Sequence, residues 1–318
     1  MSTVSTPVPQ EMRPQTAGKR RGSRARRREA LLGYLYISPW IVGYLLLIIG
    51  PVLASFYLSL TRYSIITPPV FIGLENYIRA FTADPLFAKS MWNTFYFVVI
   101  SVPLSITTSL LLALLLDQGL RATKLFRTLF FLPSITPVVA SILLWRWIFQ
   151  PDFGVINYGL SLVGIQGPQW LASPVWVKPS LIVIALWGSV GGSQMIVFLA
   201  GLQSIPTDLY EVAAIDGASR WHRFWRVTLP LLTPAIFFNV ILGIIAGFRT
   251  FTAAYIATGG GPAYESLFFV LYLFFNAFQF MNMGYASAMA WVLLLIVLAL
   301  TAVQFGLSKR WVYYEAGD

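Results

Sequence analysis

No charged residue occurs between Ser90 and Leu116, or between Ser266 and Ser308, and from Ala30 to Tyr63 the only one is Arg62. These runs constrain the fold more than any motif does. A helix needs about 20 mainly apolar residues to cross a bilayer. Inside the hydrocarbon its backbone must also satisfy its own hydrogen bonds. Only 11% of the 318 residues are charged, against about 25% in an ordinary soluble domain. The expected fold is all-α: a polytopic membrane helix bundle.

Six transmembrane helices are expected. The first fits within Leu31 to Tyr57 and should kink at Pro51, because proline lacks the N–H and clashes one turn back. The second is Ser90 to Leu116. The third runs from about Thr128 to Phe149, interrupted by Pro133, Pro137 and Arg146. The fourth is Pro179 to Ser204, with Gly188, Gly191 and Gly192 in its middle. The fifth is Leu231 to about Ile256, ended by Thr258-Gly-Gly-Gly-Pro262. Leu267 to Phe280 is short for a span and rich in Phe, which suits an interfacial or partly inserted helix. The sixth span is then about Gly284 to Leu307.

An even number of spans puts both termini on one side. Lys and Arg number eight in residues 1–30, three in 117–127, three in 204–230 and two in 309–318. Between the other helix ends lie only Arg62, Arg79, Lys89 and Lys178. Such a bias places both termini and the 204–230 loop in the cytoplasm. Residues 1–30 read as a disordered basic cytoplasmic tail that orients the first helix, with no nucleic-acid partner. Residues 31–312 read as the transmembrane domain, and 313–318 as a cytoplasmic C-terminal tail.

Several chemistries are excluded. The chain has no cysteine, hence no disulfide and no thiolate metal site. There is no G-x-x-x-x-G-K-[ST] phosphate loop. No expected span holds Asp or Glu, which ion-coupled carriers usually place at depth. The one histidine, His222, reads as an exposed loop residue and supplies no catalytic set. No metal, no cofactor and no catalytic residue is expected.

Two arginines fall within expected spans. An arginine at depth costs about 2.5–3.5 kcal/mol on insertion scales and faces a cavity or a partner. Arg249 lies among Phe248, Thr250 and Phe251. Aromatic faces beside a hydrogen-bond donor suit a sugar-like solute. A structural arginine is the alternative. Arg146, between Trp145 and Trp147, is placed to snorkel to the interface. In the fourth span Gly191, Gly192, Ser193 and Gln194 either line a ligand path or let helices pack closely.

The most polar stretch between long apolar runs is Glu211 to Pro230, E-V-A-A-I-D-G-A-S-R-W-H-R-F-W-R-V-T-L-P. Thr207 is expected as N-cap of a short helix, with Asp208 and Glu211 near its start. Leu209, Val212 and Ala213 give it one apolar face, and Gly217 permits a left-handed stop. Ser219 can cap a second helix, whose Trp221, Phe224 and Trp225 pack back on the membrane side. Such a helix fits a groove on another protein, or connects spans along the lipid surface.

E-V-A-A-I-D-G-A followed by F-W-R-V-T-L-P resembles the signature loop of inner-membrane permease subunits of binding-protein-dependent ABC importers. L-A-G-L-Q-S-I-P (199–206), W-R-W-I-F, G-V-I-N, T-G-G-G-P and A-F-Q-F-M-N-M-G-Y-A-S-A (277–288) resemble the sugar-importing, maltose/glycerol-phosphate-type branch. Val212 stands where that family usually has Ala, and Arg249 where related sugar permeases often have a small polar residue. The resemblance implies the type I permease fold in a bacterial or archaeal inner membrane. It implies a second permease subunit, two ATP-binding cassette subunits that hydrolyse ATP, and an extracytoplasmic solute-binding protein. It makes 207–217 a coupling helix, with Glu211, Ala213, Ala214, Asp216 and Gly217 as ATPase-coupling residues. The sugar path then moves to Gly192, Ser193, Gln194, Phe248, Arg249, Thr250 and Phe251. The competing reading is an ion-coupled secondary carrier acting alone on a small polar solute.

Overall fold

The computed structural model describes residues 23–119 and 123–313. The chain divides into two compact units, 1–54 and 55–318. The first holds α1 (Ser23–Tyr44), which passes through a π-helical turn, Leu45–Ile49, into α2 (Gly50–Ser59), whose last residues belong to the second. A regular turn would set the Pro51 ring against a carbonyl one turn back, and the wider turn before it absorbs that conflict. The helix runs unbroken from Arg27 to Ser59. The expected kink is therefore a π-turn inside a continuous span. Leu35, Trp40 and Leu47 are exposed, as on a span bordered by lipid or another chain.

In the second unit β1 (Thr61–Arg62) and β2 (Val70–Phe71) pair antiparallel, Thr61 opposite Phe71. α3 (Glu75–Thr82) follows, and its buried Asn76 donates to the Ser59 and Thr61 carbonyls, each at 2.9 Å. α4 (Pro85–Asp117) begins before Ser90 because Asp84 caps it. Asp84 Oδ1 accepts from the Leu86 and Phe87 amides at 3.0 and 3.2 Å, and Pro85 sits at the first helical position.

α5 (Thr123–Ile135) and α6 (Val138–Ile148) meet at 95° around Pro137. α7 (Val155–Leu162) is a short helix in the following loop. α8 (Val177–Ser189) and α9 (Ser193–Ser204) meet at 51°, at the glycines. α10 (Thr207–Ile215) is followed by an arm made of α11 (Arg220–Arg223), a π-turn (Phe224–Thr228) and α12 (Leu229–Leu231). The arm makes 61° with α13 (Thr233–Phe248). α14 (Thr252–Ala257), α15 (Phe269–Phe274) with a π-turn (Phe275–Gln279), and α16 (Met283–Ser308) complete the chain.

Three helices are long and apolar enough to cross a membrane unbroken: Arg27–Ser59, Pro85–Asp117 and Met283–Ser308. Among the described residues three bent pairs pass the same test together, so the number of spans reaches six where each pair counts as one. A further expectation is corrected. The fifth span does not continue to Ile256, because α13 stops at Phe248. Its last turn tightens, with the Arg249 amide on Ala246 O at 3.1 Å and that of Thr250 on Gly247 O at 3.2 Å. The break leaves Arg249 exposed rather than buried in a continuous helix, which avoids much of the cost of a charge at depth.

α4 is the central helix. One core joins its Phe97 to Ile142, Leu181, Phe268, Phe269 and Met289. The other joins its Val98, Val102 and Ala113 to Met195, Phe198 and Leu232. Within lipid, apolar burial drives little helix association, so close approach at small residues matters more. A Cβ on Gly247 would lie 2.8 Å from Val98 Cγ2, and one on Gly243 3.0 Å from Val102 Cγ1. Those two glycines let α13 approach α4. Gly191 plays the same part against the Phe130 carbonyl, which a Cβ there would strike.

Candidate functional site

Pro206 is the N-cap of α10 (φ −58°, ψ 131°), so Thr207 is its first helical residue rather than the cap. The fixed proline φ sets the entry, and the Leu209 amide donates to Pro206 O. At the other end Gly217 N donates to Ala214 O at 3.1 Å and Ala218 N to Ala213 O at 2.9 Å. This is the paired bonding of a Schellman stop. It requires a left-handed residue, and Gly217 has φ +74°. Asp216 is the C-cap residue, its amide on Val212 O. Ser219 then caps α11, its hydroxyl accepting from the His222 amide at 3.3 Å.

α10 presents Glu211 and Ala214 to the outside, together with Leu209, Val212 and Ile215, the last 86% exposed. Tyr210 and Ala213 are partly buried. The uncovered apolar face is thus 209–212–215, not 209–212–213. Asp216 and Gly217 are exposed at the turn. Trp221 and Trp225 both meet the ring of the half-buried Phe224, at 6.1 and 5.4 Å between centroids. They are exposed and touch each other.

A cavity of about 330 Å³ lies where α4, α8, α9 and α13 converge. Ser101, Ser105, Ser189, Thr250, Thr252 and Gln194 supply hydroxyls and an amide to its wall. Arg249 adds a guanidinium, and Phe97 and Phe251 add aromatic faces. Phe251 stacks on Tyr255 at 5.2 Å between ring centroids. Gln194 Oε1 accepts from Ser109 Oγ at 3.3 Å, and its amide nitrogen bonds to no described residue. A wall mixing neutral hydrogen-bonding groups with aromatic faces suits a polyhydroxyl solute. A larger space of about 720 Å³ is lined by Phe81, Trp92, Phe95, Phe248 and Ile296, but it is mostly apolar. Its Asp84 is already engaged by the α4 cap and by the Tyr272 and Tyr285 hydroxyls.

Of the path residues named from sequence, Gln194, Arg249, Thr250 and Phe251 meet at the smaller cavity. Gly192 is the buried break before α9, Ser193 is exposed outside the wall, and Phe248 is buried on the opposite side of α13. Sequence reasoning missed Ser101 and Ser105. A signal existed: Ser101, Ser105 and Ser109 recur every four residues in an otherwise apolar helix, forming one polar stripe. Arg146 Nη1 donates to Ile256 O at 3.3 Å, which ties α6 to α14.

One ionic cluster lies beyond the cavity. Glu265 accepts from Lys89 and from Lys178, each at 2.6 Å. Lys178 also donates to Asn93 Oδ1 at 3.2 Å, while Asn93 Nδ2 holds the Tyr264 and Leu267 carbonyls. Burial pushes the Glu265 carboxyl up. The hydrogen bonds and charges of Lys178 and Lys89 outweigh that and hold it below its ordinary value. The cluster fastens the 258–268 loop to α4 and α8.

The chain is thus a mainly helical bundle with several membrane-crossing helices and one uncovered helix, α10, between two of them. Residues 105–312 match the family described as binding-protein-dependent transport system inner membrane component, and the chain belongs to that family. It is a multi-pass inner-membrane permease component of an ABC transporter. It is 45% identical to a probable ABC transporter permease of Bacillus subtilis, over 93% of this chain and 96% of that one. To the trehalose/maltose transport system permease of Thermococcus litoralis it is 36% identical, over 90% and 97%. A solved bacterial ABC transporter involved in import of the acidic polysaccharide alginate has the same fold, with TM-score 0.78 and 24% identity. That match covers 90% of this chain and 97% of the other.

Proposed function

We propose that this permease forms, with a second permease subunit, the path for a carbohydrate delivered by an extracytoplasmic binding protein. Two ATP-binding cassette subunits drive it from the cytoplasm. The observation that carries the solute class is the cavity where Gln194, Arg249, Thr250 and Phe251 meet serines of α4. The sugar named for the Thermococcus relative supports it.

In this reading α10 is the coupling helix. Val212 and Ile215 provide the apolar contact with the ATPase groove and Glu211 the ionic one. Asp216 and Gly217 set the turn. Closure of the ATPase pair moves α10, the rigid arm transmits that movement to α13, and the cavity at the end of α13 changes its access. The positive charge bias supports an orientation with both termini and α10 in the cytoplasm. Residues 31–312 are then the transmembrane domain, flanked by cytoplasmic tails 1–30 and 313–318. Residues 1–22 and 314–318 of these tails lie outside the described residues.

The experiment is uptake into proteoliposomes holding the whole complex, with a panel of neutral, acidic and phosphorylated sugars presented by the binding protein. Uptake of a sugar that needs both ATP and the binding protein is expected. Uptake driven by an ion gradient without either would overturn the reading. Transport confined to a non-carbohydrate solute would overturn the solute class alone.

A further inference from the structure

The arm Arg220–Leu231 lies at 61° to α13. The arm therefore turns well away from the direction of the span it leads into. Its inner side is held by protein. Thr228 is buried against Tyr210, and Phe224 is half-buried. Its outer side is uncovered among the described residues. Trp221 is 67% exposed and Trp225 49%, and their rings meet edge-on at 5.6 Å. Arg220 and Arg226 are exposed beside them.

Behind the arm is a second polar cavity, of about 590 Å³, reaching to the end of α4. Arg220 and Arg223 stand in its wall with the Tyr210 and Thr228 hydroxyls and Gln118. Asp117 is the carboxylate in that wall, and two guanidiniums outweigh it. The Arg223 Nε is buried and has no acceptor among the described residues. A buried guanidinium N–H without a partner calls for an anionic oxygen.

We infer that the arm binds an anionic phospholipid, its phosphate at Arg220 and Arg223 and its acyl chains along Trp221 and Trp225. Indole rings beside basic residues favour the boundary between headgroups and chains, and clustered arginines favour anionic headgroups. One molecule of this kind supplies both the missing acceptor and the missing apolar cover. A free anion would supply only the first, and an apolar protein surface only the second. Because Tyr210 is bonded to the arm, the lipid also sets the depth at which α10 is held. The inference does not depend on which solute is carried.

The test is native mass spectrometry of the intact transporter complex taken from nanodiscs of phosphatidylcholine with increasing phosphatidylglycerol. Preferential retention of phosphatidylglycerol is expected. R220Q/R223Q should weaken retention about thirtyfold, from about 1 kcal/mol per basic residue, whereas R220K/R223K, which keeps the charge, should stay within a few-fold of wild type. Brominated phosphatidylglycerol should quench wild-type tryptophan fluorescence more than that of W221F/W225F. Equal retention of both lipids, or retention unchanged in R220Q/R223Q, would overturn the proposal. So would displacement of the lipid by inorganic phosphate with quenching unaltered, which marks a free-anion site. Protection of Trp221 by the ATPase subunits in lipid-free detergent would overturn it too, since the occupant is then protein.

Discussion

The hydroxyls of Tyr210 and Thr228 lie 3.0 Å apart, one on α10 and the other on the arm that returns to α13. Among the described residues no other side-chain hydrogen bond joins these two elements. With the Gly217 turn at one end and this bond near the other, α10 and the arm form a small rigid frame. In the proposed coupling role, force applied to the exposed face of α10 would be carried to α13 rather than lost in a loose loop.

Tyr210→Phe should therefore loosen the frame without disturbing insertion. A hydrogen bond of this kind is worth about 1 kcal/mol. Solute taken up per ATP hydrolysed is expected to fall in proteoliposomes, with basal ATP hydrolysis retained. Thr228→Val removes the same bond, so the double variant should be no worse than either single one. Additive losses would show that the two residues act separately.

Apart from its two chain neighbours, no described residue comes within 4 Å of a Cβ built on Gly217, so substitution there probes the backbone alone. Gly217→Ala has to hold a left-handed conformation at a cost of about 1–2 kcal/mol. Gly217→Pro cannot hold it at all. Coupling should fall modestly in the first and be abolished in the second, with equal amounts inserted in the membrane. Glu211→Lys, on the exposed face, should uncouple without affecting the turn. Pull-down of the ATPase subunits and uptake assays read both effects, and full uptake in Gly217→Pro and Glu211→Lys would remove the docking role.

Arg249 is exposed at the end of α13, and its guanidinium has no ion-pair partner among the described residues. Assembly should not depend on it. If it contacts the solute, Arg249→Ala loses a charged hydrogen bond, worth about 1.5–3 kcal/mol, or roughly ten- to a hundredfold in uptake. Size-exclusion profiles of the complex should be unchanged. Failed assembly would make the arginine structural instead.

Glu265 gives a pH dependence of known sign. Its carboxyl is held below the ordinary 4.5, so the folded chain takes up the proton less readily than the unfolded one. The stabilisation is complete above 4.5 and is lost as pH falls through the lower folded value. Glu265→Gln should cost about 2 kcal/mol near neutrality, the scale of a charged hydrogen bond. Thermal midpoints of wild type and variant should converge as pH drops below 4.5. A gap that stays constant into acid would show that the two lysine contacts carry no net stabilisation.

Much of the site was legible locally. Gly217 marks the stop of α10 because a Schellman turn needs a residue at positive φ. Ser219 marks the next cap, since its side chain can reach an amide three residues on. Asp84-Pro85 carried the start of α4 openly, a capping carboxylate before an N1 proline, yet charge-free length alone put that start later. The break at Arg249 was not legible, because the run from Leu231 to Ile256 is apolar enough to read as one helix.

The sequence by itself determined the class of fold, the approximate spans and the segment that would stand uncovered between them. It could do so because the hydrocarbon slab imposes length, excludes charge and demands internal backbone hydrogen bonds, all of which leave a local pattern. Only the tertiary structure decided which side chains share the cavity. Gln194 and Thr250 face Ser101 and Ser105 because α8 and α9 bend at 51° and because Gly243 and Gly247 admit α4 to close range. Bend angles and helix approach arise from contacts between residues far apart in the chain, and no local period encodes them. Direction was decided the same way. Phe248 and Arg249 are neighbours in sequence, yet one is buried in the core that holds Val98 and the other opens to the cavity, because the helix ends between them.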